Sequence, residues 1–249
     1  MSEVKINVEG KVAFISGANR GIGKAIAIEL LENGAKKVYA GARDKSSLFD
    51  LVEQYGDRVV AIQLDVTDST SIENAARIAT DTELLFNNAG VLHGGGFIHP
   101  EAVAGLQTNL DVNVIGLVRL TNAFADTIKK QEVGAIVNVS SVVGLASMPV
   151  IGTYSASKAL VHSITQSIRG ELSETNILVA GVYPGPIDTD MAKEIEMEKD
   201  SPQNVARNII EALKEGVQDI FPDVMSVQVG AGYANSPKAI EQQFGAFVG

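Results

Sequence analysis

Residues 11–23 read Lys-Val-Ala-Phe-Ile-Ser-Gly-Ala-Asn-Arg-Gly-Ile-Gly, and this stretch decides the expected fold. Its first part, Lys11–Ser16, is short, apolar and rich in β-formers, which predicts a buried strand. A glycine turn follows, and apolar residues then recur at helical spacing over Gly23–Asn33, before Gly34. Glycines let a backbone approach a pyrophosphate closely, and a helix N-terminus favours negative charge. The stretch therefore predicts a strand–turn–helix unit that binds the phosphates of a dinucleotide.

The spacing of the turn, Gly-x-x-x-Gly-x-Gly, is neither the commoner Gly-x-Gly-x-x-Gly nor that of a P-loop. Lys24 follows Gly23, but Ala18 stands where a P-loop has glycine, and Ala25 replaces the Ser or Thr that would hold magnesium. A glycine-rich turn that binds no ligand is the alternative interpretation. The strand before the turn and the helix after it favour the dinucleotide site.

The rest of the chain alternates predicted strands with predicted helices. Because these strands are continuous apolar runs, they indicate a parallel sheet with helices on both faces, which is a doubly wound α/β fold. No linker, repeat or low-complexity segment interrupts the pattern, so we expect a single domain over residues 1–249. Functional residues in such a fold belong at the carboxyl ends of the strands. The predicted strands are Lys11–Ser16, Lys37–Ala42, Arg58–Leu64, Glu83–Phe86, Gly134–Val139, Leu178–Tyr183 and Asp219–Phe221; the predicted helices are Gly23–Asn33, Ser47–Tyr55, Ser69–Ala79, Gln107–Lys130, Tyr154–Leu172 and one from Ser201-Pro202 to Gly216; the segment from Met225 onwards stays unassigned.

The composition disfavours several classes of function. The formal net charge is −10, and a nucleic-acid partner is not expected because phosphate backbones require basic patches. There is no cysteine, and His93, His99 and His162 lack the spacing of metal ligands, so no metal site is expected. The start of the chain has no apolar signal region, and no run is long enough for a membrane span. We therefore expect a soluble, cytoplasmic protein that binds no membrane.

Tyr154 and Lys158 lie four residues apart in Tyr-Ser-Ala-Ser-Lys, a spacing that places both side chains on one helix face. A lysine ammonium beside a phenol favours the phenolate, so we expect Lys158 to lower the pKa of Tyr154. Such a tyrosine can exchange a proton with an oxygen atom at neutral pH. A Tyr-x-x-x-Lys pair alone occurs by chance on many helices. The upstream glycine turn and the Ser140-Ser141 pair favour the chemical interpretation.

The end of the second predicted strand indicates which nicotinamide cofactor binds. An acidic residue there would bond the ribose hydroxyls of NAD and repel a 2′-phosphate. The strand instead ends in Ala40-Gly41-Ala42-Arg43, and the Arg43 guanidinium can form bidentate hydrogen bonds with a phosphate. Arg20 can add a second positive charge, while Asp44 partly offsets Arg43. NADP is therefore expected, with NAD as the less favoured alternative.

Further motifs occur in the order of one known family. After the glycine turn at 16–23 come Asp65-Val66, Asn87-Asn88-Ala89-Gly90, Asn113, Ser141, Tyr154-x-x-x-Lys158 and Pro184-Gly185. With these motifs the chain resembles the short-chain dehydrogenase/reductase family over almost its whole length. The resemblance implies a three-layer Rossmann fold with about seven parallel strands. It also implies hydride transfer between NAD(P) and a carbonyl or alcohol.

The resemblance implies a role for each residue of the catalytic group. Tyr154 is implied as the general acid/base, and Ser141 as the hydroxyl that holds the substrate oxygen. Lys158 is implied to lower the tyrosine pKa and to bond the nicotinamide ribose. Asn113 is implied to anchor a water molecule that links the lysine to a proton relay. Ser140 is the weaker choice by its spacing from the tyrosine.

The resemblance also implies the cofactor contacts. Asp65 is implied to contact the adenine amino group, and Asn88 and Gly90 to form the wall behind the adenine ribose. Ile187 and Thr189 are implied to contact the carboxamide. The complete expected set, with the glycine turn and the charged contact included, is Gly17, Asn19, Arg20, Gly21, Ile22, Gly23, Arg43, Asp65, Val66, Asn88, Ala89, Gly90, Tyr154, Lys158, Pro184, Gly185, Ile187 and Thr189.

The expected substrate pocket is mostly apolar. Its loops, His93–Pro100, Val142–Thr153 and Pro186–Asp200, contain no arginine that would clamp a carboxylate or phosphate. An uncharged, fairly apolar carbonyl or alcohol is therefore the expected substrate. The apolar residues expected to line the pocket are Leu92, Phe97, Val143, Leu145, Met148, Val150, Ile151, Met191 and Ile195.

Three functions remain open at this point. The leading one is an NADP-dependent oxidoreductase acting on a ketone/secondary alcohol pair. The alternatives are a non-catalytic NAD(P)-binding sensor on the same fold and a reductase of 3-oxoacyl thioesters. An epimerase or dehydratase is disfavoured because the chain has neither Gly-x-x-Gly-x-x-Gly nor a longer substrate domain. The resemblance further implies a homo-oligomer, with a homotetramer favoured over a dimer, in which the two long helices Gln107–Lys130 and Tyr154–Leu172 pair across a two-fold axis.

Overall fold

The computed structural model describes residues 4–194 and 196–248, and the strands in these residues form one parallel sheet. Their order across the sheet is third, second, first, fourth, fifth, sixth and seventh, so the strand order reverses between the first and the fourth strand. Ligands of open parallel sheets bind outside the carboxyl ends of the strands at such a switch point. The expected doubly wound α/β sheet of about seven parallel strands is confirmed. The strands are β1 (Val12–Ser16), β2 (Lys37–Ala42), β3 (Val59–Gln63), β4 (Leu84–Asn87), β5 (Gly134–Val139), β6 (Ile177–Val182) and β7 (Asp219–Ile220).

Helices pack on both faces of the sheet, which explains why the strands are apolar on both sides. In β1, Ala13 and Ile15 belong to the apolar cluster on one face, and Phe14 belongs to the cluster on the other, where its ring lies 4.6 Å from that of Phe124. Within the described residues, no helix combines the length and the apolar character needed to cross a membrane. The helices are α1 (Gly21–Glu32), α2 (Phe49–Tyr55), α3 (Ser69–Ile78), α4 (Ala102–Leu110), α5 (Gly116–Lys129), α6 (Gly152–Glu171), α7 (Pro202–Glu215), α8 (Val224–Asn235) and α9 (Pro237–Gly245).

Most predicted boundaries agree with the structure to within two residues. Helix α7 illustrates why these ends are predictable. The Ser201 hydroxyl accepts a hydrogen bond from the backbone N–H of Asn204, Pro202 occupies the first turn, and Gly216 ends the helix with a φ of 78°. Each of these signals is local, so it can be read directly from the sequence.

The helix predicted over Gln107–Lys130 was wrong at its start and in its middle. The structure begins this helix earlier, with α4, and separates α4 from α5 by a π-helical turn at Asp111–Ile115. Gly105 weakens the helix signal of α4, but a Cβ at this position would lie only 2.6 Å from the ring of His93. Turns of π-helix are frequent at functional sites because they re-aim a side chain. Here the π turn contains Asn113.

The segment from Met225 onwards, which the sequence left unassigned, is helical. The Asp223 carboxylate accepts a hydrogen bond from the backbone N–H of Ser226 and caps α8, while Ser236 caps α9 with Pro237 in its first turn. Apolar and small residues occur throughout α8, so its sequence lacks the alternation of faces that indicates a helix. The helical state of this segment therefore depends on its packing and its caps.

Candidate active site

A cleft of about 900 Å³ opens at the carboxyl ends of the strands, where the sequence places the functional residues. It is lined by loops that follow β1 to β6 and by the first turns of α6. Most of the predicted site residues meet in this one cleft, although they are distant in the sequence. Those that line it are Gly17, Asn19, Arg20, Gly21, Ile22, Arg43, Asp65, Val66, Asn88, Ala89, Gly90, Ser141, Tyr154, Lys158, Pro184, Gly185, Ile187 and Thr189.

The glycine turn forms a cradle that side chains would fill. Gly17 and Gly21 have φ values of 70° and 54°, which favour glycine. A Cβ on Gly17 would lie 3.1 Å from the Asn88 amide nitrogen, and a Cβ on Gly21 would lie 3.1 Å from the Thr189 methyl group. Gly23 does not line the cleft; a Cβ there would lie 2.2 Å from the Gly17 carbonyl oxygen. Gly23 therefore serves the close packing of the turn and α1.

Ser16 and Asn88 join the ends of β1 and β4 at the switch point. The Ser16 hydroxyl accepts hydrogen bonds from the backbone N–H groups of Asn88 and Ala89, both at 3.0 Å. The Asn88 side-chain amide donates to the carbonyl oxygens of Ser16 at 3.0 Å and Gly17 at 3.1 Å. Asn88 thus fixes the shape of the glycine turn, in addition to facing the cleft. Sequence analysis assigned Ser16 no contact in the site, although a hydroxyl at the end of β1 can be recognised from the sequence.

Arg43 and Asp65 lie together at the end of the cleft formed by β2 and β3. Asp65 accepts hydrogen bonds from the hydroxyl and the backbone N–H of Thr67, which lower the pKa of its carboxyl, and the positive charge of Arg43 lowers it further. Asp44, which also lines the cleft, accepts a hydrogen bond from the backbone N–H of Ser46 at 2.9 Å. This end therefore presents a guanidinium beside an ionised carboxylate.

Arg20 lines the cleft, but its charge is paired with a carboxylate. It forms an ion pair with Asp190 at 3.0 Å, and both side chains are mostly exposed. The pair connects the glycine turn to the loop after β6 at the cleft mouth. The charge of Arg20 is therefore shared with a carboxylate, and Arg43 is the better placed arginine for a phosphate near the end of β2.

Tyr154 and Lys158 lie on one face of α6, as their spacing predicts, and both are buried. The Lys158 ammonium nitrogen lies 5.6 Å from the centre of the Tyr154 ring and donates a hydrogen bond to the Val139 carbonyl oxygen at 2.8 Å. Burial lowers the pKa of Lys158 to about 8. Burial also raises the pKa of Tyr154 above its ordinary value. The expected net lowering of the tyrosine pKa is therefore not found: the pKa is raised overall, because dehydration of the phenolate outweighs the effect of the lysine charge.

The two adjacent serines have different functions. Ser140 is buried, and its hydroxyl donates to the Lys158 carbonyl oxygen at 2.9 Å, which fixes α6 against the end of β5. The Ser141 hydroxyl lies on the cleft wall, donates to the Pro184 carbonyl oxygen at 3.2 Å and accepts from the backbone N–H of Val143 at 3.3 Å. The geometry supports Ser141, the choice favoured by spacing, as the hydroxyl available to a ligand.

Asn113 is buried behind the cleft wall and does not line the cleft. Its amide accepts from the backbone N–H of Val91 at 2.8 Å and donates to the Val91 carbonyl oxygen and the Ser157 hydroxyl, both at 3.0 Å. A Cβ on Gly90 would lie 3.2 Å from the Asn113 oxygen and 3.7 Å from the Lys158 nitrogen. Asn113 therefore braces the segment after β4 against α6, close to the lysine.

The other end of the cleft is apolar, as expected. Leu92, Val143, Met148, Val150, Ile151 and Met191 line it, whereas Phe97 and Leu145 do not, and Ile195 lies outside the described residues. Sequence reasoning missed Met197, Met225 and Phe247, which also line the cleft. Two of these come from the C-terminal segment that carried no motif. Among the described residues, no group of three or more His, Asp or Glu side chains is arranged to hold a metal ion.

The fold agrees with comparisons to known proteins. A family model described as short chain dehydrogenase matches residues 11–200. The chain belongs to the short-chain dehydrogenase/reductase family and is an oxidoreductase that uses a nicotinamide cofactor. It is similar to an uncharacterized oxidoreductase of Staphylococcus aureus strain USA300, with 33% identity over 213 residues, which cover 82% of this chain and 91% of the relative.

Two solved structures are similar over nearly the whole chain. A short chain dehydrogenase from Burkholderia cenocepacia J2315 in complex with NADP is 34% identical, with a TM-score of 0.87 and coverage of 96% of this chain and 99% of that one. A short chain dehydrogenase/reductase from Burkholderia phymatum in complex with NAD is 26% identical, with a TM-score of 0.83 and coverage of 96% of each chain.

The residues of the cleft fit a nicotinamide dinucleotide. The glycine cradle at Gly17 and Gly21 leaves space that a Cβ would occupy, and it lies at the N-terminus of α1, which favours a pyrophosphate. Arg43, Asp65 and Lys158 also line the cleft. The chain thus carries polar groups for each part of such a cofactor.

Proposed function

We propose that this protein is an NADP-dependent oxidoreductase that interconverts an uncharged, apolar ketone and its secondary alcohol. The observation that carries the proposal is the presence of Tyr154, Lys158 and Ser141 on one cleft wall beside an apolar pocket. The bound nicotinamide supplies or accepts the hydride. The chain itself has to orient the substrate oxygen, move one proton and exclude water.

In this proposal Tyr154 is the general acid for ketone reduction. Burial keeps its pKa high, so the phenol is protonated at neutral pH and can donate its proton to a carbonyl oxygen. Ser141 donates a hydrogen bond to the same oxygen and holds it in place. Lys158 stabilises the phenolate that remains, because its ammonium lies above the tyrosine ring. Asn113 holds the segment after β4 against α6, close to Lys158, and supports a proton relay.

Arg43 supports NADP over NAD. No acidic residue stands at the end of β2 before Arg43, so we propose that the Arg43 guanidinium binds a 2′-phosphate there, beside the Asp44 and Asp65 carboxylates that also line the cleft. The related Burkholderia cenocepacia protein binds NADP, which agrees with this proposal. NAD stays the alternative, since the Burkholderia phymatum relative binds it.

A screen of NADPH oxidation across ketones, aldehydes and 3-oxoacyl thioesters tests the proposal. We expect turnover of apolar ketones. Faster turnover of 3-oxoacyl thioesters would make the protein a thioester reductase instead. Tight NADPH binding without turnover of any carbonyl compound would indicate the non-catalytic sensor.

The oligomeric state and the cellular location are proposed from the sequence. We propose a single domain over residues 1–249 that forms a homo-oligomer, either a dimer or a tetramer. Leu160 of α6 and Ile115 before α5 support this, because both are more than 40% exposed beside the apolar cluster that joins the two helices. A cytoplasmic location stays a prediction.

A further inference from the structure

The substrate end of the cleft contains an unusual concentration of thioether side chains. The sequence has five methionines, and the four that lie within the described residues all line this cleft. Met148 follows β5, Met191 and Met197 belong to the loop after β6, and Met225 belongs to α8. Methionine is flexible and polarizable, and its sulfur contacts aromatic rings favourably. The pocket wall can therefore adapt to large apolar groups, aromatic ones above all.

Helix α8 is anchored directly to the active-site turn. The buried Asp223 carboxylate accepts hydrogen bonds from the backbone N–H groups of Gly185 at 2.9 Å and Ser226 at 2.8 Å. A Cβ on Gly185 would lie 3.4 Å from the Cβ and the sulfur of Met225. Helix α8 therefore packs closely against the Pro184-Gly185 turn. This contact fixes Met225 against the cleft.

The C-terminal segment is anchored to the opposite side of the pocket. The backbone N–H of Val150 donates to the Phe247 carbonyl oxygen at 3.1 Å, and the Val150 carbonyl oxygen accepts from Gly95 at 3.0 Å. Phe244 is fully buried in the same apolar cluster as Tyr154 and Val143. Phe247, whose side chain is partly exposed, is therefore held at the cleft by its main-chain bond to Val150 and by the burial of Phe244 three residues before it.

The mouth of this pocket is negatively charged. Residues 188–200 contain six carboxylates and two lysines; Asp190 and Glu196 line the cleft itself, and Arg20 offsets the charge of Asp190 but not that of Glu196. Like charges at a binding surface repel an anionic partner. The rim therefore disfavours substrates that carry carboxylate or phosphate groups.

We infer that residues 223–248 form the closing wall of the substrate site, with Met225 and Phe247 as specificity-determining residues for an uncharged ketone that carries an aromatic ring. The inference rests on the proposed oxidoreductase function and adds the shape and charge of the substrate. The methionines accommodate the ring, Phe247 limits its size, and the acidic rim excludes anionic analogues.

Steady-state kinetics with two aryl ketones of different size test the role of Phe247. Phe247→Ala keeps the carbonyl group that Val150 contacts and removes the ring. We expect the ratio of kcat/KM for 2-acetylnaphthalene to kcat/KM for acetophenone to rise by about tenfold or more. Changing an apolar pocket by a few methylene groups has an effect of this size. The NADPH Kd stays unchanged. The matched control is Val248→Ala, at an exposed neighbour that does not line the cleft. An unchanged ratio in Phe247→Ala overturns the inference.

Methyl NMR provides a readout that does not depend on turnover. The protein is labelled at the methionine methyl groups and at Ile δ1, saturated with NADP⁺, and titrated with acetophenone. Signals of Met148 and Met225, assigned through Met→Leu variants, are expected to shift, while the signal of the exposed Ile78 on α3 stays in place. 4-Acetylbenzoate differs by one carboxylate and is expected to bind at least about tenfold more weakly, as one unfavourable charge contact predicts.

The outcomes separate the two proposals. Methionine shifts without turnover of any ketone support the pocket and contradict the proposed oxidoreductase function. Ketone turnover without shifts of the methionine signals overturns the inference that these methionines line the substrate pocket, and it leaves the proposed oxidoreductase function standing. Equal affinity for acetophenone and 4-acetylbenzoate overturns the role of the acidic rim.

Discussion

The ammonium nitrogen of Lys158 lies 5.6 Å from the centre of the Tyr154 ring, and its hydrogen bond is directed to the carbonyl oxygen of Val139. The lysine is therefore close enough to influence the phenol but is held by the end of β5. Both side chains are buried, and burial shifts both pKa values towards the neutral forms. The pair is arranged at a free-energy cost that a purely structural site has no reason to maintain.

Tyr154→Phe is expected to reduce turnover by ~10²–10⁴-fold, the usual contribution of a positioned acid or base. This equals about 3–5 kcal/mol of barrier. NADPH binding, measured by fluorescence titration, should stay almost intact because the ring and its packing are kept. Tyr55→Phe, whose hydroxyl bonds Glu32 at the surface, is the control. If Tyr154→Phe retains more than about a tenth of the activity, a loss below the range for such catalysis, the tyrosine is not the acid.

Lys158→Met is expected to lower kcat and to weaken cofactor binding together. The change removes the charge that favours the phenolate and the amine that we propose for the ribose contact. Steady-state kinetics beside fluorescence titration with NADPH separates the two effects. Lys130→Met, at an exposed position that does not line the cleft, provides the reference. Loss of turnover with an unchanged NADPH Kd would contradict the ribose contact.

The lowered pKa of Lys158 predicts a specific dependence of stability on pH. Its ordinary pKa is 10.5 and its folded value is about 8, so between these values the unfolded chain holds the proton and the folded protein does not. Stability from this group therefore rises as pH increases from 8 to 10.5, and the full penalty of burying the charge applies below pH 8. Lys158→Met removes that penalty. The free energy of unfolding of the variant minus that of the wild type should therefore be largest below pH 8 and decrease as the pH rises to 10.5. Urea unfolding at a series of pH values measures this difference. A difference that does not depend on pH would contradict the lowered pKa of Lys158.

Arg43→Asp is expected to reverse the cofactor preference from NADPH to NADH. A carboxylate at this position repels the 2′-phosphate and can bond the ribose hydroxyls instead. Ratios of kcat/KM for the two cofactors measure the change. Lys45→Asp carries the same charge change two residues away, outside the cleft lining, and should leave the preference nearly unchanged. An NADH preference of the unmodified protein would falsify the proposed role of Arg43.

Leu160→Glu is expected to dissociate the proposed homo-oligomer into monomers. Leu160 is 44% exposed on α6, and burying a carboxylate in an apolar interface is strongly unfavourable. Sedimentation velocity at micromolar concentration measures the assembly. Ile78→Glu introduces the same charge at an exposed apolar residue of α3 and serves as the control. A monomeric wild-type protein contradicts the assembly itself.

The sequence by itself determined the fold class and most of the cleft residues. The glycine turn, the caps of α7 and the apolar strands are local signals, because each depends on neighbouring residues only. The motif residues follow successive strands, and parallel strands bring their carboxyl ends to one edge of the sheet. Residues as distant in sequence as Gly17, Asn88 and Thr189 could therefore be assigned to one site.

The tertiary structure alone decided what depends on packing and dehydration. The raised pKa of Tyr154 follows from burial, which sequence spacing does not measure. Asn113 is buried behind the wall, within a π turn that the sequence pattern did not indicate. Met225 and Phe247 enter the cleft only because α8 docks on Gly185 and the C-terminal segment bonds Val150. These contacts join parts of the chain far apart in sequence, and no local pattern encodes them, so the walls of the substrate pocket could be recognised only in the folded protein.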